Sequence, residues 1–289
     1  MRKENVQNSV SESDRNQTTL TGKKMEEGQV ALEYWTKRVN LGDALAPVIY
    51  EWMLKRYPAA ELDGRAAGGG QVHLMTVGSI LNMGTFDAAV WGSGILSFDV
   101  LKEVYEKSGY RKLDVRAVRG PLTGKILRNA GYEVPEVYGD PGTLMPLIYQ
   151  PEKQEPTVPY TIIPHYLDVA SCVAEGYDYL DILTDDYRSF IDRIAASRLV
   201  ISSSLHGIIL AEAYGVPSIL LNYPENNPLN AHPIDLLKYY DYYFSTGRKN
   251  VKVASSIEEA FRTEPMPLPD LTEIQQKLLE SFPYDLFEK

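Results

Sequence analysis

The chain is 289 residues long, 44% hydrophobic and 24% charged, and its 29 Lys and Arg against 39 Asp and Glu leave a net charge of −10 at pH 7. This composition excludes wholesale disorder, and the length gives ample core for one large domain or two of ordinary size. The acidic balance excludes a general phosphate-backbone binder, so no nucleic-acid partner is expected. The lone Cys172 excludes an intrachain disulfide or a multi-cysteine zinc site and fits a reducing compartment.

Residues 1–27 are rich in Ser, Asn, Gln and Thr and lack the apolar stretch of a secretory signal, which predicts a disordered N-terminal arm. No run approaches the ~20 apolar residues that span a bilayer, so no transmembrane segment and a cytoplasmic location are expected. The first strand is predicted at 29–35. A helix follows over 44–57, with Leu45, Val48, Trp52 and Leu54 on one face, Asp43 as candidate N-cap and Pro58 at its end. Strands are then predicted at 72–80, 88–91, 113–117 and 136–138, with helices at 100–108 and 122–130. The polar, proline-punctuated stretch 150–156 reads as a linker. Beyond it come strands at 160–164, 180–183, 199–202 and 218–222, helices at 186–196 and 205–214, and a closing helix at 271–279.

Strand and helix in alternation imply parallel sheets. The predicted fold is α/β: a Rossmann-like domain over 28–150, a second over 151–264, a cleft between them, and a tail with its helix over 265–289.

In open parallel sheets ligands bind beyond the carboxyl ends of the strands. The residues there are Asn40, Gly42 and Asp43; Gly92-Ser93-Gly94; Arg119-Gly120-Pro121; Gly139-Asp140-Pro141; Pro164-His165; and Ser202-Ser203-Ser204-Leu205-His206-Gly207. Glycines admit close approach of backbone N–H groups to an anion, and Arg119 offers a planar fork for carboxylate or phosphate. Taken alone, each has a plainer explanation. Asn40 to Asp43 reads as turn and cap, Gly92-Ser93-Gly94 as a turn, and Asp140 as a brace for its loop.

His206 is the sharpest candidate, because a histidine in the first turn of a helix after a strand presents its ring to the cleft. His165 is a second candidate, whereas His73 reads as packing and His232 as loop. Neither GxxxxGK[ST], GxGxxG nor GxSxG occurs, and no histidine pair has metal-ligand spacing. Twenty Tyr against seven Phe, including Tyr239, Tyr240, Tyr242 and Tyr243, suit either a sugar ligand or core edges.

In their order, Asn40-Leu41-Gly42-Asp43, Gly92-Ser93-Gly94, Val118-Arg119-Gly120-Pro121-Leu122-Thr123, Gly139-Asp140-Pro141, Ile163-Pro164-His165 and the stretch from Ile201 through His206 to Ser218 resemble the polysaccharide pyruvyltransferase family. The resemblance implies two Rossmann-like domains in a GT-B-like arrangement. It implies transfer of the enolpyruvyl carbons of phosphoenolpyruvate to two hydroxyls of a sugar, giving a cyclic ketal and phosphate without a cofactor.

On that reading His206 is the general acid or base, with Asp43 catalytic beside it, and Arg119 clamps the donor with help from Ser203 and Ser204. Asp140, Asn40, Gly42, Ser93 and His165 complete the substrate site. The acceptor is a saccharide, including a lipid-linked one, which would bring the enzyme to the inner membrane face. One departure stands out. Many family members carry Arg two residues before this histidine, where this chain has Ser204, and Arg38, Arg116 or Lys37 would have to substitute. Two other readings are a GT-B glycosyltransferase using a nucleotide-sugar and a non-catalytic saccharide- or anion-binding relict.

Overall fold

In the computed structural model the described residues are 20, 28–56, 62, 64–67, 71–152, 155–224 and 235–287. The predicted arm (Leu20 apart), Pro58, His232 and residues 153–154 of the predicted linker lie outside them. The elements of the first half are β1 (Val30–Glu33), α1 (Leu41–Lys55), β2 (Val72–Met75), β3 (Ala88–Trp91), α2 (Leu101–Ser108), β4 (Leu113–Ala117), α3 (Pro121–Asn129) and the short α4 (Met145–Ile148). The second half runs β5 (Thr161–Ile163), α5 (Val169–Ala174), α6 (Tyr187–Ala195), β6 (Val200–Ser202), α7 (Leu205–Ala213), β7 (Ser218–Leu221), α8 (Leu237–Ser245), β8 (Val253–Ala254) and α9 (Ile257–Arg262). A last helix, α10 (Thr272–Ser281), follows.

The strands form two parallel four-stranded sheets, ordered β1-β2-β3-β4 and β5-β6-β7-β8. Both orders are sequential, so neither sheet has the reversal that makes a ligand crevice inside one Rossmann sheet. Strands covered on both faces read as continuous apolar runs, and β3, β6 and β7 are buried at every position. Two predicted strands are not formed. Residues 180–183 make two isolated backbone bonds, Leu180 N–H to Ile162 C=O at 2.8 Å and Leu41 N–H to Ile182 C=O at 2.9 Å, and no ladder. Residues 136–138 leave only the bridge Val118–Tyr138. The strand predicted at 72–80 stops at Met75, which releases residues 76–80 into a loop.

α1 begins earlier than predicted. Asn40, not Asp43, is its N-cap, accepting the Gly42 N–H on Oδ1 at 3.0 Å. Asp43 lies inside the first turn, and Pro47 withholds the N–H that the Asp43 carbonyl would accept. The tyrosines of α8 are also placed differently from a sugar platform: Tyr239, Tyr242 and Tyr243 are at most 1% exposed and pack with Ile208, Ile209 and Leu220. Tyr242 further donates to Glu212, which also holds Arg248 through two bonds of 2.6 and 2.7 Å.

One core runs through both halves, joining Leu41, Leu45 and Met53 of α1 to Ile163, Ile182, Phe190 and Ile194, and to Ile274 and Leu278 of α10. Thus the tail returns to the first sheet, where Trp91 Nε1–H donates to the Leu278 carbonyl at 2.9 Å. The halves are also tied by charge. Asp241 of α8 accepts the Leu122 and Thr123 N–H groups at the start of α3 (2.9 and 3.0 Å), the Thr123 hydroxyl (2.6 Å) and Arg119 Nε–H (3.2 Å). Arg119 and Asp241 are 1% and 0% exposed.

Removing one partner of a buried, hydrogen-bonded ion pair strands the other charge. Asp241→Ala is therefore expected to cost about 3–5 kcal/mol in urea denaturation, and a loss below ~1 kcal/mol would show that the pair is dispensable to folding.

Candidate active site

The carboxyl ends of both sheets converge on a cavity of about 270 Å³, near the lower end of the ~300–1,000 Å³ usual for small-molecule sites. Trp35 and Arg38 enter from the loop after β1, Asn40 and Asp43 from the start of α1, and Ser79 and Ile80 from the loop after β2. From the second half come His165 and Tyr166 after β5, Ser204 and His206 at the start of α7, and Lys238 from α8.

Of the residues expected from sequence to form the site, Asn40, Asp43, His165, Ser204 and His206 line this cavity. The others stand behind its wall. Gly42 lies against the His206 ring, so close that a Cβ there would overlap it. Ser93 is fully buried and donates to the Gly78 carbonyl at 3.0 Å. Ser203 Oγ accepts the His165 N–H at 2.8 Å.

Asp140 caps the turn at Pro141 by accepting the Gly142 N–H at 2.9 Å, and its Oδ1 lies 3.8 Å from His206 Nε2, beyond hydrogen-bond length but within electrostatic contact. Arg119 spends its fork internally: besides Asp241 it donates to Ser79 Oγ (2.6 Å) and the Ile95 carbonyl (2.7 Å). Gly94 must be glycine-sized to admit that guanidinium.

Three groups set the electrostatics. Burial raises the Asp43 carboxyl to about 7, with Lys238 opposing and Asp140 adding. A carboxylic acid there carries a proton much of the time at neutral pH. Burial is also the main cause that lowers His206, with Lys238 and Arg119 adding and Asp140 opposing, so the ring is neutral. Burial and then Lys238 lower His165 to about 3. Its Nδ1 accepts the Leu167 N–H at 3.4 Å, which leaves the ring proton on Nε2 as a donor. The cavity therefore offers a proton donor, a neutral proton acceptor and a cation side by side.

Lys238 is the residue that sequence reasoning missed, along with Trp35, whereas Ser79 and Tyr166 lie in strand-end loops that the sequence does point to. No motif flags Lys238: it sits at the head of a tyrosine-rich helix, and only the packing of α8 against α3 carries it to the cavity. Of the cations proposed to replace the missing Arg at 204, Arg116 is engaged by Asp114 and Asp285 (2.7 and 2.8 Å) away from the cavity, and Lys37 lies over Trp35. Arg38 lines the cavity and stacks on Tyr166 at 4.7 Å.

The cavity brings acidic, imidazole and ammonium groups together at the carboxyl ends of the two parallel sheets of an α/β protein. Residues 86–226 match the family model described as polysaccharide pyruvyl transferase. The chain is 29% identical over 223 residues to the uncharacterized protein L143 of Acanthamoeba polyphaga mimivirus, covering 74% of this chain and 73% of that protein. It is 27% identical over 230 residues to the succinoglycan biosynthesis protein ExoV of Rhizobium meliloti (strain 1021), covering 74% of this chain and 64% of ExoV. A crystal structure of a functionally uncharacterized Klebsiella pneumoniae protein covers 79% of this chain and 94% of that one, with a TM-score of 0.48 at 13% identity. The family match and the likeness to ExoV support a place for this chain in the polysaccharide pyruvyl transferase family. No helix among the described residues is long and apolar enough to cross a membrane.

Two outcomes follow from the geometry. Gly→Ala inside a helix ordinarily gains ~0.5–1 kcal/mol, but Gly42→Ala is expected to lower the melting temperature, because its Cβ collides with His206; a rise would refute that contact. The folded state holds the Asp43 proton up to about pH 7 against an ordinary value of 3.8, so the folded chain binds more protons than the unfolded one and stability falls as pH rises through that window. Asp43→Asn is expected to flatten this slope in denaturation curves taken from pH 4 to 8, whereas a slope identical to wild type would count against a buried, protonated Asp43.

Proposed function

We propose that the chain transfers the enolpyruvyl group of phosphoenolpyruvate to two hydroxyls of a saccharide, forming a cyclic pyruvate ketal and releasing phosphate. The observation that carries this reading is the pairing in one small cavity of Asp43, raised to about 7, with a neutral His206. A carboxyl raised to neutral pH as proton donor and an unprotonated imidazole as acceptor are what proton-coupled addition to an enol requires.

Protonated Asp43 delivers its proton to the methylene carbon, which becomes a methyl group as the adjacent carbon turns oxocarbenium-like. The first sugar hydroxyl attacks that carbon and gives its proton to His206. The phosphate departs with the C–O electron pair, taking the proton from His206. The second hydroxyl then closes the ketal and returns a proton to Asp43, so both groups end as they began. An anionic donor beside Asp43 raises its affinity for the proton further, which keeps the acid armed. Asp140, 3.8 Å from His206 Nε2, favours the transient imidazolium. The His165 Nε2–H and Arg38 at the mouth serve as donors to the substrate, and Asn40 holds the α1 terminus that presents Asp43.

We also read residues 28–150 and 151–264 as the two domains of a GT-B-like enzyme, with 265–289 as the tail that closes onto the first. Relatedness to ExoV, a succinoglycan biosynthesis protein, supports a saccharide acceptor. A cavity of about 270 Å³ suits a three-carbon donor better than a nucleotide-sugar.

The decisive test is phosphate release from phosphoenolpyruvate in the presence of candidate saccharides, beside thermal-shift titrations with phosphoenolpyruvate and a panel of nucleotide-sugars. His206→Ala is expected to lower turnover by roughly 10²–10⁴-fold while the fold is kept. A near-wild-type rate would remove His206 from the chemistry, and stabilisation by a nucleotide-sugar alone would overturn the donor assignment.

A further inference from the structure

A lysine is almost never buried without a partner, because an ammonium withdrawn from water must be compensated. Lys238 is 9% exposed and lines the cavity. Among the described residues its ammonium makes no hydrogen bond and no ion pair within 4.0 Å; it lies over the Tyr239 ring at 5.1 Å, and the carboxyls of Asp168, Asp43 and Asp235 act on it from beyond contact. Those carboxyls oppose the effect of burial without touching the ammonium, which leaves its hydrogen-bonding positions open to an anion in the cavity.

The other cations near the site are committed elsewhere. Arg119 has its fork taken by Asp241, Ser79 and the Ile95 carbonyl, and Arg38 is exposed at the mouth over Tyr166.

The placement of Lys238 has a visible cause. It lies three residues before Asp241 on α8, hence on the same side of the helix. Asp241 is clamped by four bonds to Arg119 and the start of α3. That clamp sets the rotation and height of α8, and one turn earlier the helix delivers Lys238 between Asp43, His165 and His206.

We infer that Lys238 is the anion-binding cation of the cavity, supplying from α8 the charge that Ser204 does not supply from α7, and that the Arg119–Asp241 pair is its positioning device. The inference deepens the proposed donor site and rests on that site receiving a phosphorylated ligand. Lys238 lies outside the segment 86–226 that matches the family model.

The test is calorimetric titration of the full chain with inorganic phosphate and, separately, with phosphoenolpyruvate. Lys238→Met, which keeps bulk but removes charge, is expected to weaken phosphate binding roughly 10- to 100-fold, and Lys238→Arg to stay within several-fold of wild type. Adding Ser204→Arg to Lys238→Met is expected to return the anion affinity, since both side chains face one cavity. Asp241→Asn is expected to weaken phosphate binding at temperatures where it is folded, whereas Tyr242→Phe, which loosens the same helix through Glu212, is not. Unliganded melting curves separate these effects from misfolding.

Phosphate affinity unchanged within twofold in Lys238→Met overturns the inference. So does wild-type protein that binds no phosphate at millimolar concentration, or failure of both arginine variants to hold the anion. Phosphate bound through Lys238 without binding or turnover of phosphoenolpyruvate leaves the anchor standing and removes the pyruvyl-donor reading instead.

Discussion

A buried ion pair between Arg119 and Asp241 is the constraint on which the cavity depends. Each charge would be costly alone in the interior, and each is made tolerable by the other and by a full set of further bonds, including two backbone N–H groups at the start of α3. The pair crosses from the loop after β4 to a helix of the second half, so satisfying it fixes how the halves meet. Three other features are subordinate to that arrangement: the narrow Gly94 seat for the guanidinium, the Ser79 hydroxyl held at the cavity wall, and the register of α8. A pair of this kind contributes less to raw stability than to uniqueness of arrangement, because an apolar substitute would not specify which turn of α8 meets α3.

The cavity itself is governed by dehydration. Withdrawing Asp43 from water favours its neutral acid, and withdrawing His165 and His206 favours neutral imidazoles, so burial alone prepares one proton donor and one acceptor. The same burial lowers Lys238 to about 8, which still leaves an ammonium at neutral pH. Opposite effects on acid and base thus arise from one cause, and the charges of Lys238 and Asp140 adjust them rather than create them. His206 is held in place on both sides, by the bare backbone of Gly42 and by the capped turn at Asp140 and Gly142, so its ring position is decided by two loops distant in sequence.

Much of the architecture was legible in the sequence because it is written in short-range patterns. Apolar runs at 88–91, 200–202 and 218–221 became fully buried strands, and alternation with helices implied parallel sheets. The misreadings occurred where a local pattern admitted two outcomes. Residues 180–183 carry strand composition but make only two isolated backbone bonds, to Ile162 and Leu41, and Asp43 resembles a cap although Asn40 takes that place. The tyrosines of α8 look like a ligand platform and are a core face, because tyrosine is apolar over its ring and its hydroxyl can be satisfied internally, as Tyr242 is by Glu212.

By itself the sequence determined the class of fold, the strand-end loops that meet at the cavity, and His206 and Asp43 among the residues that line it, since these follow from residue type and neighbours a few positions away. Only the tertiary structure decided that Arg119 braces the halves rather than facing the cavity, that the two sheets keep sequential strand order, and that Lys238 enters the site. The physical reason is the same in each case. A long cationic side chain has no local pattern that tells whether it is paired, exposed or presented to a ligand, and that outcome depends on charges 122 residues away, as Asp241 is from Arg119.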